Sequence, residues 1–456
     1  MRGIESCIPM SKSWPKVLRD PIHDLILFYD KPWDRLLWAL LDCKEVQRLR
    51  RIKQLGFSEL VFPGANHNRF AHSVGVLHVA KKFLQQYERA TGTELTDDQK
   101  AFILSAALLH DVGHGPVSHA FEKVTKIDHE KWTGEIIGDS ATDVNKTLLK
   151  HGPELPSALS KFFDPEADKD SPLPFDLPAC LKQIVTSQFD ADRSDYLLRD
   201  SHSTGVGYGR YDLDWLLIHL HPHPDGKRFV LRNKALTAIE GYVTARYDMY
   251  RTVYFHKTTR AAEVMLRLVF DRFKELLGDT PTADHGSQLA EGAPEQFLAA
   301  FTGQMSLSGY LELDDHALTE FLRACSQSSD ATLGNLATGL LSRRLFKVRD
   351  VTSAPMGQRE AFRAAVAERF SSGDGLRYRF VLDTPGDTPY KPYEEDSENS
   401  DKQIFVEDGN GKPRNLTQLS KQVKELQESY EFVRYYYPNE LRVEIDGLAD
   451  QHLKKG

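Results

Sequence analysis

The clearest helical pattern in the chain spans about residues 97–112. Its apolar residues recur at i, i+3, i+4 and i+7 between Phe102 and Leu109, as in a helix with one buried side. A Gly-x-Gly-Pro sequence at 113–116 then ends the helix. This helix therefore places the adjacent His110 and Asp111 at the edge of a hydrophobic core, where polar groups need a metal or a hydrogen-bond partner.

Similar patterns predict further helices and one hairpin. Asp42 and Glu45 form a capping box that predicts a helix from Asp42 onward. Another helix follows the loop that begins at Pro63, and its apolar face runs from Val76 to Tyr87. The remaining predictions for this half are a β-hairpin at 14–30, loops at 150–178, and helices at 179–201 and 235–277.

The pattern changes after residue 277. Residues 278–296 are rich in Gly, Ala and Pro and predict a mobile loop, and short helices then follow to Lys347. Beyond it the sequence predicts strands at 377–382, 404–407 and 432–437, a helix at 416–430, and a solvated acidic stretch at 394–401. We therefore expect a mainly α fold with short β-hairpins and a smaller C-terminal α+β appendage, divided into a core at 1–277, a helical extension at 278–347 and the appendage at 348–456.

Composition narrows the class of protein. Hydrophobic residues make up 40% of the 456 residues and charged residues 27%, which is typical of a globular protein. We find no apolar run of membrane-spanning length and no signal-peptide core, and the four cysteines form no Cys-x-x-Cys pair, so we expect a cytoplasmic protein without disulfides. The net charge of −8 gives no general attraction to nucleic acid.

Four residues form a metal-site hypothesis. His72 and Asp192 lie in predicted helices, and His110 and Asp111 end a third. Two imidazoles and two carboxylates suit Fe, Mn, Zn or Mg and leave coordination positions open for water and substrate. Helix caps and hydrogen-bonded core histidines are the structural alternative.

The ordered set His72…His110-Asp111…Asp192 resembles the H…HD…D signature of the HD-superfamily metal-dependent phosphohydrolases. The flanking sequence is most similar to the branch of deoxynucleoside triphosphate (dNTP) triphosphohydrolases, which includes dGTPases and the animal protein with a sterile-alpha-motif domain. The motifs that carry this resemblance are Lys16…Asp20-Pro21-Ile22-His23, Gln47-Arg48-Leu49-Arg50, Lys53-Gln54-Leu55-Gly56, Phe62-Pro63-Gly64-Ala65…His67-Asn68-Arg69-Phe70, Asp128-His129-Glu130, Asp195-Tyr196…Arg199-Asp200, Tyr247-Asp248-Met249 and Tyr254…His256-Lys257. The resemblance is dense from about 15 to 260 and thinner to Lys347. We expect no sterile-alpha-motif domain, because few residues precede Lys16.

The resemblance implies an HD-domain helical core and a reaction. Water activated at a divalent metal attacks the α-phosphorus of a dNTP and releases deoxynucleoside and inorganic triphosphate. A 5′-alkoxide is a poor leaving group, so a general acid is needed, and histidine titrates in the right range. His119 is the first candidate for the acid; His129 and His114 are the others, and Glu122 or Glu130 orients the histidines.

The resemblance also implies positions that bind the substrate, and a second Mg²⁺ carried by the nucleotide. The phosphates need cations, for which arginine is well suited, and the sugar needs polar and steric contacts. The phosphate candidates are Arg69, Arg193, Arg246 and Lys257, and the sugar candidates are Gln54, Leu55, Tyr196, Asp200 and Tyr254. Arg193 stands where the animal relative has lysine, so the geometry at the phosphates differs.

A further set of positions matches an activating GTP or dNTP site of the animal relative. Gln47 and Arg50 share a helix face at i and i+3, but a capped helix with solvated basic residues explains them as well. Trp215 and Ala238 depart from the family's pattern in the adjoining deoxynucleotide pocket. The candidate activator residues are Lys16, Asp42, Gln47, Arg50, Arg232, Lys234, Arg343 and Lys347.

Several patterns invite other interpretations. The alternating His219, His221 and His223 lie among prolines before an Asp-Gly turn, which favours a surface loop over a metal site. His23-Asp24 lies beside the hairpin turn and is interpreted as structural, and the basic cluster at 48–53 is too small to indicate nucleic-acid binding.

We therefore expect a dNTP triphosphohydrolase that forms a homo-oligomer, dimer or tetramer, with nucleotide activation. The alternatives are an HD-type phosphodiesterase or nuclease acting on single-stranded nucleic acid or another nucleotide, and a nucleotide-sensing module. The intact ligand set argues against the sensor.

Overall fold

The protein is described from a computed structural model. The described residues are 14–117, 121–122, 128–164, 166, 172–278, 286, 288–370, 376–387, 403–426 and 430–453. Within them the fold is mainly α. The α-helices are α1 Pro32–Leu41, α2 Lys44–Arg48, α3 Arg69–Thr91, α4 Asp97–Leu109, α5 His129–Gly138, α6 Asp143–His151, α7 Leu155–Phe162, α8 Ala191–Thr204, α9 Leu213–Ile218, α10 Leu236–Met249, α11 Lys257–Leu277, α12 Glu295–Thr302, α13 Leu307–Leu311, α14 Asp315–Ser326, α15 Ala331–Leu341, α16 Met356–Arg369, α17 Leu416–Leu419, α18 Lys421–Glu425 and α19 Arg442–His452.

The strands form small sheets at the periphery of the helices. They are β1 Lys16–Asp20, β2 Asp24–Phe28, β3 Leu220–Pro222, β4 Phe229–Leu231, β5 Lys347–Asp350, β6 Val381–Asp383, β7 Gly386–Asp387, β8 Phe405–Glu407, β9 Pro413–Asn415, β10 Tyr430–Glu431 and β11 Arg434–Tyr437. The β1–β2 hairpin is antiparallel, as predicted. The other sheets have the orders β3-β4-β8-β9, β5-β11-β6 and β10-β7, and β4 pairs with β8 in parallel through Leu231 and Val406.

Local sequence signals place the helices that build the site. Helix α3 begins at Asn68, whose side chain accepts a hydrogen bond from the Ala71 backbone N–H, and ends at Gly92 with φ +69°. Helix α4 begins with a complete capping box of Thr96 and Gln99. It ends at Leu109, so His110 and Asp111 lie at the turn that follows.

The structure corrects several predicted elements in the first half of the chain. Asp42 does not begin a helix: it ends α1, and Cys43 precedes α2 without a side-chain cap. The predicted 179–201 helix is a 3-10 helix at Ala179–Ile184 followed by α8, because the Asp190 side chain caps α8 by accepting from the backbone of Arg193. The 150–178 region contains α7, whose Leu155 and Leu159 are buried at helical spacing.

The predicted 235–277 helix is interrupted. Helix α10 passes into a π-helical turn at Tyr250–Tyr254, and α11 restarts after His256, whose side chain accepts from the Thr258 backbone. In the C-terminal part, the predicted 416–430 helix is divided into α17 and α18 at Ser420. Of the predicted 377–382 strand only 381–382 pair in a sheet, as part of β6. The predicted mobile loop at 278–296 is only partly right: 279–285 and 287 lie outside the described residues, but Ala290 is buried in a hydrophobic cluster and α12 already begins at Glu295. The acidic stretch at 394–401 lies wholly outside the described residues.

The described core comprises three hydrophobic clusters. The first contains the helices from α1 to α10 together with Ile404, Val406, Leu416 and Val423 from the C-terminal part. The second is centred on α11, α14 and α15, and the third joins α16 and α19 to β11. The division at 277 and 347 stays a prediction. Among the described residues no helix is long and apolar enough to cross a membrane.

Candidate active site

Four side chains from three helices of the first cluster converge at one place. His72 comes from α3, His110 and Asp111 from the end of α4, and Asp192 from the first turn of α8. Ligand atoms of His72, His110 and Asp111 all lie within 4.8 Å of one another. Asp192 Oδ1 lies 3.0 Å from His72 Nε2 and 3.7 Å from His110 Nε2. The structure thus brings together the whole predicted ligand set.

The donors of this cluster suit a divalent metal. His110 Nδ1 donates to the Ala107 carbonyl at 2.9 Å, so the ring presents Nε2 to the cluster. That Nε2 is buried and has no hydrogen-bond partner within the described part of the chain, although Asp111 Oδ1 lies 3.3 Å away. A buried polar atom without a hydrogen bond is costly unless a ligand satisfies it. Two imidazole nitrogens and carboxylate oxygens match Fe, Mn, Zn or Mg.

The electrostatics of the cluster are also typical of a cation site. Burial opposes a charge on His72, but hydrogen bonds with Asp192 and Asp195 outweigh it and raise the pKa of His72 to about 10. Burial likewise opposes a charge on Asp111, yet Arg69 and His110 hold the pKa of its carboxyl well below the usual range. Arg69 forms an ion pair with Asp111. The carboxylates are therefore ionised and available as ligands at neutral pH.

The turn that carries Asp111 is fixed by buried groups. The Arg48 guanidinium, 1% exposed, donates to the carbonyls of His114 at 2.9 Å and Leu313 at 3.0 Å. Tyr310 Oη donates to the Gly113 carbonyl at 2.6 Å. A Cβ at Gly113 would overlap the backbone of α5, which explains the glycine at this close approach. Arg48, which the sequence analysis counted in a small basic cluster, is therefore a buried support of the site.

A second polar cluster lies beside the first. His114 Nε2 lies 3.2 Å from Asp111 Oδ1, and Glu122 Oε1 lies 3.4 Å from His114 Nδ1 and 2.9 Å from His129 Nδ1. The two imidazole rings stack at 3.8 Å. Burial and the nearby Arg69 charge lower the pKa of His114 to about 4, whereas Glu122 outweighs burial and raises the pKa of His129. His119, the first candidate for the acid, lies outside the described residues.

The two clusters open into a cavity of about 730 Å³. This volume falls in the range of small-molecule sites. His72, His110, Asp111 and Asp192 line it together with His114, His129 and Glu130. The predicted substrate residues that line it are Gln54, Leu55, Arg69, Arg193, Tyr196, Asp200 and Tyr254.

Asp200 forms a buried hydrogen-bonded group at the cavity wall. It is 1% exposed and accepts from His67 Nε2 at 2.7 Å and from Tyr254 Oη at 2.8 Å. The π-helical turn at Tyr250–Tyr254 is what presents Tyr254 to α8. The sequence predicted Asp200 and Tyr254 as sugar contacts but gave His67 no role.

Other predicted residues lie elsewhere. Lys257 lines a separate cavity of about 1350 Å³, together with Arg343 and Lys347 of the predicted activator set. Arg246 is buried, and its guanidinium lies 5.6 Å from the Tyr250 ring. Neither residue is among those lining the 730 Å³ cavity.

The predicted activator residues do not form one group. Gln47 and Arg50 hydrogen-bond to each other at 2.8 Å, with the Arg50 guanidinium 3.6 Å from the Phe70 ring. Lys16 lies over the Trp38 ring at 5.9 Å, and Asp42 is exposed. Arg232 and Lys234 are exposed before α10 and do not line the 1350 Å³ cavity. Their role stays a prediction.

The histidines to which the sequence analysis gave no functional role lie in two parts of the fold. His221 lies in β3 rather than in a loop, and its Nε2 is 3.0 Å from Glu407 Oε1, while His223 pairs with Asp225 in the β3–β4 turn. His23 reaches inward from the β1–β2 turn and contacts Asp195 on α8 at 2.7 Å. Asp195 and His23 thus support His72, although sequence reasoning gave neither a functional role.

Comparisons with known proteins identify the family of the chain. The family models described as HD domain and HD associated region match residues 69–173 and 212–283. The uncharacterized protein YwfO of Bacillus subtilis is 34% identical over 428 residues, which cover 93% of each chain. Deoxynucleoside triphosphate triphosphohydrolase SAMHD1 of Danio rerio is 28% identical over 363 residues, which cover 73% of this chain and 55% of that protein.

Solved structures share the fold. A phosphohydrolase from Bacteroides thetaiotaomicron superposes with a TM-score of 0.75 at 27% identity, over 93% of this chain and 100% of its own. A hypothetical protein from Aquifex aeolicus superposes with a TM-score of 0.72 at 24% identity, over 96% of this chain and 100% of its own. The described architecture is therefore shared by bacterial relatives over nearly the whole length of this chain.

Proposed function

The chain belongs to the HD-domain phosphohydrolase family, and from this premise we propose that it is a dNTP triphosphohydrolase. In the proposed reaction, water attacks the α-phosphorus, the bond to the 5′-oxygen breaks, and the products are deoxynucleoside and inorganic triphosphate. The single observation that carries the proposal is the convergence of His72, His110, Asp111 and Asp192 at a cavity that also contains Arg69 and the Asp200 group. The SAMHD1 proteins of Danio rerio, Dictyostelium discoideum and Xenopus laevis, all named dNTP triphosphohydrolases, support the choice of substrate.

The metal ligands have one chemical task. His72, His110, Asp111 and Asp192 would hold a divalent ion, which supplies Lewis-acid polarisation of a phosphoryl oxygen and lowers the pKa of water. His72 and His110 present Nε2, because their Nδ1 atoms donate to Asp195 and Ala107. Preorganised donors of this kind need little rearrangement when the substrate binds.

Arg69 and Arg193 neutralise the triphosphate in this proposal. Both line the cavity, and both are anchored on the protein side: Arg69 by Asp111, and Arg193 by the Ser187 carbonyl at 2.8 Å and by Asp190. An anchored guanidinium loses less side-chain entropy when it binds phosphate oxygens. The alkoxide that leaves must take up a proton. His119 stays our first candidate for the donor. Of the two other candidates, His129, whose pKa is raised beside Glu122, suits a proton donor better than His114, whose pKa is lowered to about 4.

In this proposal the sugar of the dNTP binds at the Asp200 group, which consists of Asp200, His67 and Tyr254. Tyr254 and Leu55 form the wall that we expect to exclude a 2′-hydroxyl, and Asp200 accepts from a 3′-hydroxyl when His67 and Tyr254 hold its carboxylate in place. A site built around a hydroxyl group rejects an analogue that lacks it, because a buried polar group is left unpaired. Base preference, nucleotide activation and homo-oligomer formation stay predictions.

Chromatographic product analysis tests the proposed reaction. Purified protein with Mn²⁺ is offered each dNTP, with and without GTP, and single-stranded DNA in parallel. The expected products are deoxynucleoside and triphosphate. Mononucleotides from DNA with intact dNTPs would indicate the nuclease instead, and unchanged nucleotides and DNA would reject both reactions.

A pair of variants links the products to the site. Asp200→Asn should lower kcat/KM for dNTPs and reduce the preference for dNTPs over 2′,3′-dideoxynucleotides, because the carboxylate charge at the sugar end is lost. Asp34→Asn changes a buried carboxylate outside this cavity, so its preference should equal that of the wild type. Equal preference in both variants would remove Asp200 from the sugar site.

A further inference from the structure

A buried carboxylate stands behind the metal ligand His72. Asp195 is fully buried and accepts four hydrogen bonds: from His72 Nδ1 at 2.8 Å, His23 Nε2 at 2.7 Å, and the Nε and Nη2 atoms of Arg199 at 2.8 and 2.9 Å. Both carboxylate oxygens are shared between a histidine and the guanidinium. Because this geometry saturates the carboxylate, Asp195 has one defined orientation.

The support of Asp195 comes from the N-terminal hairpin. Arg199, 1% exposed, also donates to Asp20 Oδ2 at 2.9 Å, at the end of β1. His23 follows in the β1–β2 turn, and its side chain is 4% exposed. The hairpin therefore contacts Asp195 twice, directly through His23 and indirectly through Asp20 and Arg199.

Close packing of α3 against α8 keeps Asp195 in place. A Cβ at Gly75, one turn beyond His72, would overlap Asp195 Oδ1 and lie 2.6 Å from Asp195 Cγ. Without a side chain at position 75, the carboxylate can lie against the α3 backbone. The position of Asp195 is thus fixed by α3, by Arg199 on its own helix and by the hairpin.

We propose that Asp195, held by His23 and by the Asp20–Arg199 pair of the N-terminal hairpin, is the positioning residue that fixes the metal-binding state of His72. A histidine that ligates through Nε2 must carry its proton on Nδ1, and a partner at Nδ1 fixes both the tautomer and the ring orientation. A carboxylate does this more strongly than a neutral acceptor. This inference rests on the metal centre of the proposed function but not on the identity of its substrate.

The direct test is the affinity of the metal-free protein for Mn²⁺, measured by electron paramagnetic resonance of the free ion. Asp195→Asn should weaken Mn²⁺ binding on the order of 10- to 100-fold, as expected for the loss of such a partner. The matched control is Asp34→Asn, because Asp34 is also fully buried and pairs with Lys81 of the same helix α3 at 2.5 Å, but contacts no metal ligand. Asp34→Asn should unfold more easily and bind Mn²⁺ with wild-type affinity.

Two variants of the hairpin provide an independent measurement. His23→Leu removes one of the four donors and should weaken Mn²⁺ binding in the same direction but by a smaller factor. His23→Gln keeps an N–H donor at similar reach and should restore most of the affinity. If Asp195→Asn fails to fold, the Mn²⁺ affinities of these two His23 variants test the proposal.

The outcomes separate the two proposals. Wild-type affinity for Mn²⁺ in Asp195→Asn, or in both His23 variants if Asp195→Asn does not fold, would overturn the positioning role. Wild-type protein that binds no Mn²⁺ would overturn the metal centre and this inference together. Wild-type protein that binds Mn²⁺ but hydrolyses no dNTP would overturn the proposed reaction, while a weakened Asp195→Asn would still support the inference.

Discussion

Gly75→Ala should destabilise the protein although alanine is the better helix former. The added Cβ would overlap Asp195 Oδ1, so α3 must move away from α8 and the Asp195 carboxylate must rotate off His72. Overpacking of this kind costs about 1–3 kcal/mol, and a lost hydrogen bond to a charged group costs about 1.5–3 kcal/mol. Alanine returns about 1 kcal/mol of helix propensity. The free energy of unfolding should therefore fall by about 3 kcal/mol relative to wild type, from the same estimates.

A second glycine in a helix provides the control. Gly241 lies in α10, is exposed, and a Cβ added there would have no heavy atom within 4 Å apart from its chain neighbours and the backbone of its own helix. Gly241→Ala should therefore raise the free energy of unfolding by about 1 kcal/mol. Both variants gain the same methyl group, so the opposite signs come from the neighbours of the two positions.

The assay is equilibrium urea unfolding of the metal-free proteins, followed by circular dichroism. Mn²⁺ affinity of the same samples should fall for Gly75→Ala and stay unchanged for Gly241→Ala. If Gly75→Ala were as stable as Gly241→Ala, the close approach of α3 and Asp195 described above would be wrong.

Three further predictions concern the site and its surroundings. Asp111→Ala should remove bound Mn²⁺ and dNTP hydrolysis together, which metal analysis and product chromatography can check; full activity would exclude the metal centre. Tyr254→Phe removes one donor to Asp200 and should lower kcat/KM about 5- to 10-fold, the equivalent of about 1 kcal/mol; an unchanged value would mean that this hydrogen bond does not matter for the substrate. Burial, with His23 nearby, lowers the pKa of His78 to about 4, against about 6.5 in the unfolded chain. The unfolded state therefore binds more protons between these values, and stability falls as the pH falls through this window by up to about 3 kcal/mol; His78→Phe should remove that part of the pH dependence in urea titrations, and identical profiles would contradict it.

Local patterns were enough to predict much of the fold. The β1–β2 hairpin depends on a short turn between apolar strands, and α4 depends on its own cap and apolar spacing, so both are visible in a few consecutive residues. The interruption at Tyr250–Tyr254 was missed because apolar residues continue through it at helical spacing. The helix beginning at Leu155 was missed because its surroundings are rich in proline and aspartate.

The metal ligands could be proposed from their types and order, but their supports could not. His72 and Asp195 are 123 positions apart, and Asp20 and Arg199 are 179 apart. No periodicity links such positions, and a buried aspartate looks the same in sequence as an exposed one. Arg48 shows the same limit, because only the packing reveals that its charge faces backbone carbonyls rather than solvent.

The parallel pairing of β4 with β8 has a consequence for synthesis on the ribosome. Leu231 pairs with Val406, and Leu416 and Val423 complete the same hydrophobic cluster as the catalytic helices. At about 5–20 residues per second, the interval between Leu231 and Val423 takes roughly 10–40 s to translate. Throughout that time one side of the nascent core is open to water, so a segment translated much later completes the hydrophobic cluster that the earlier helices begin.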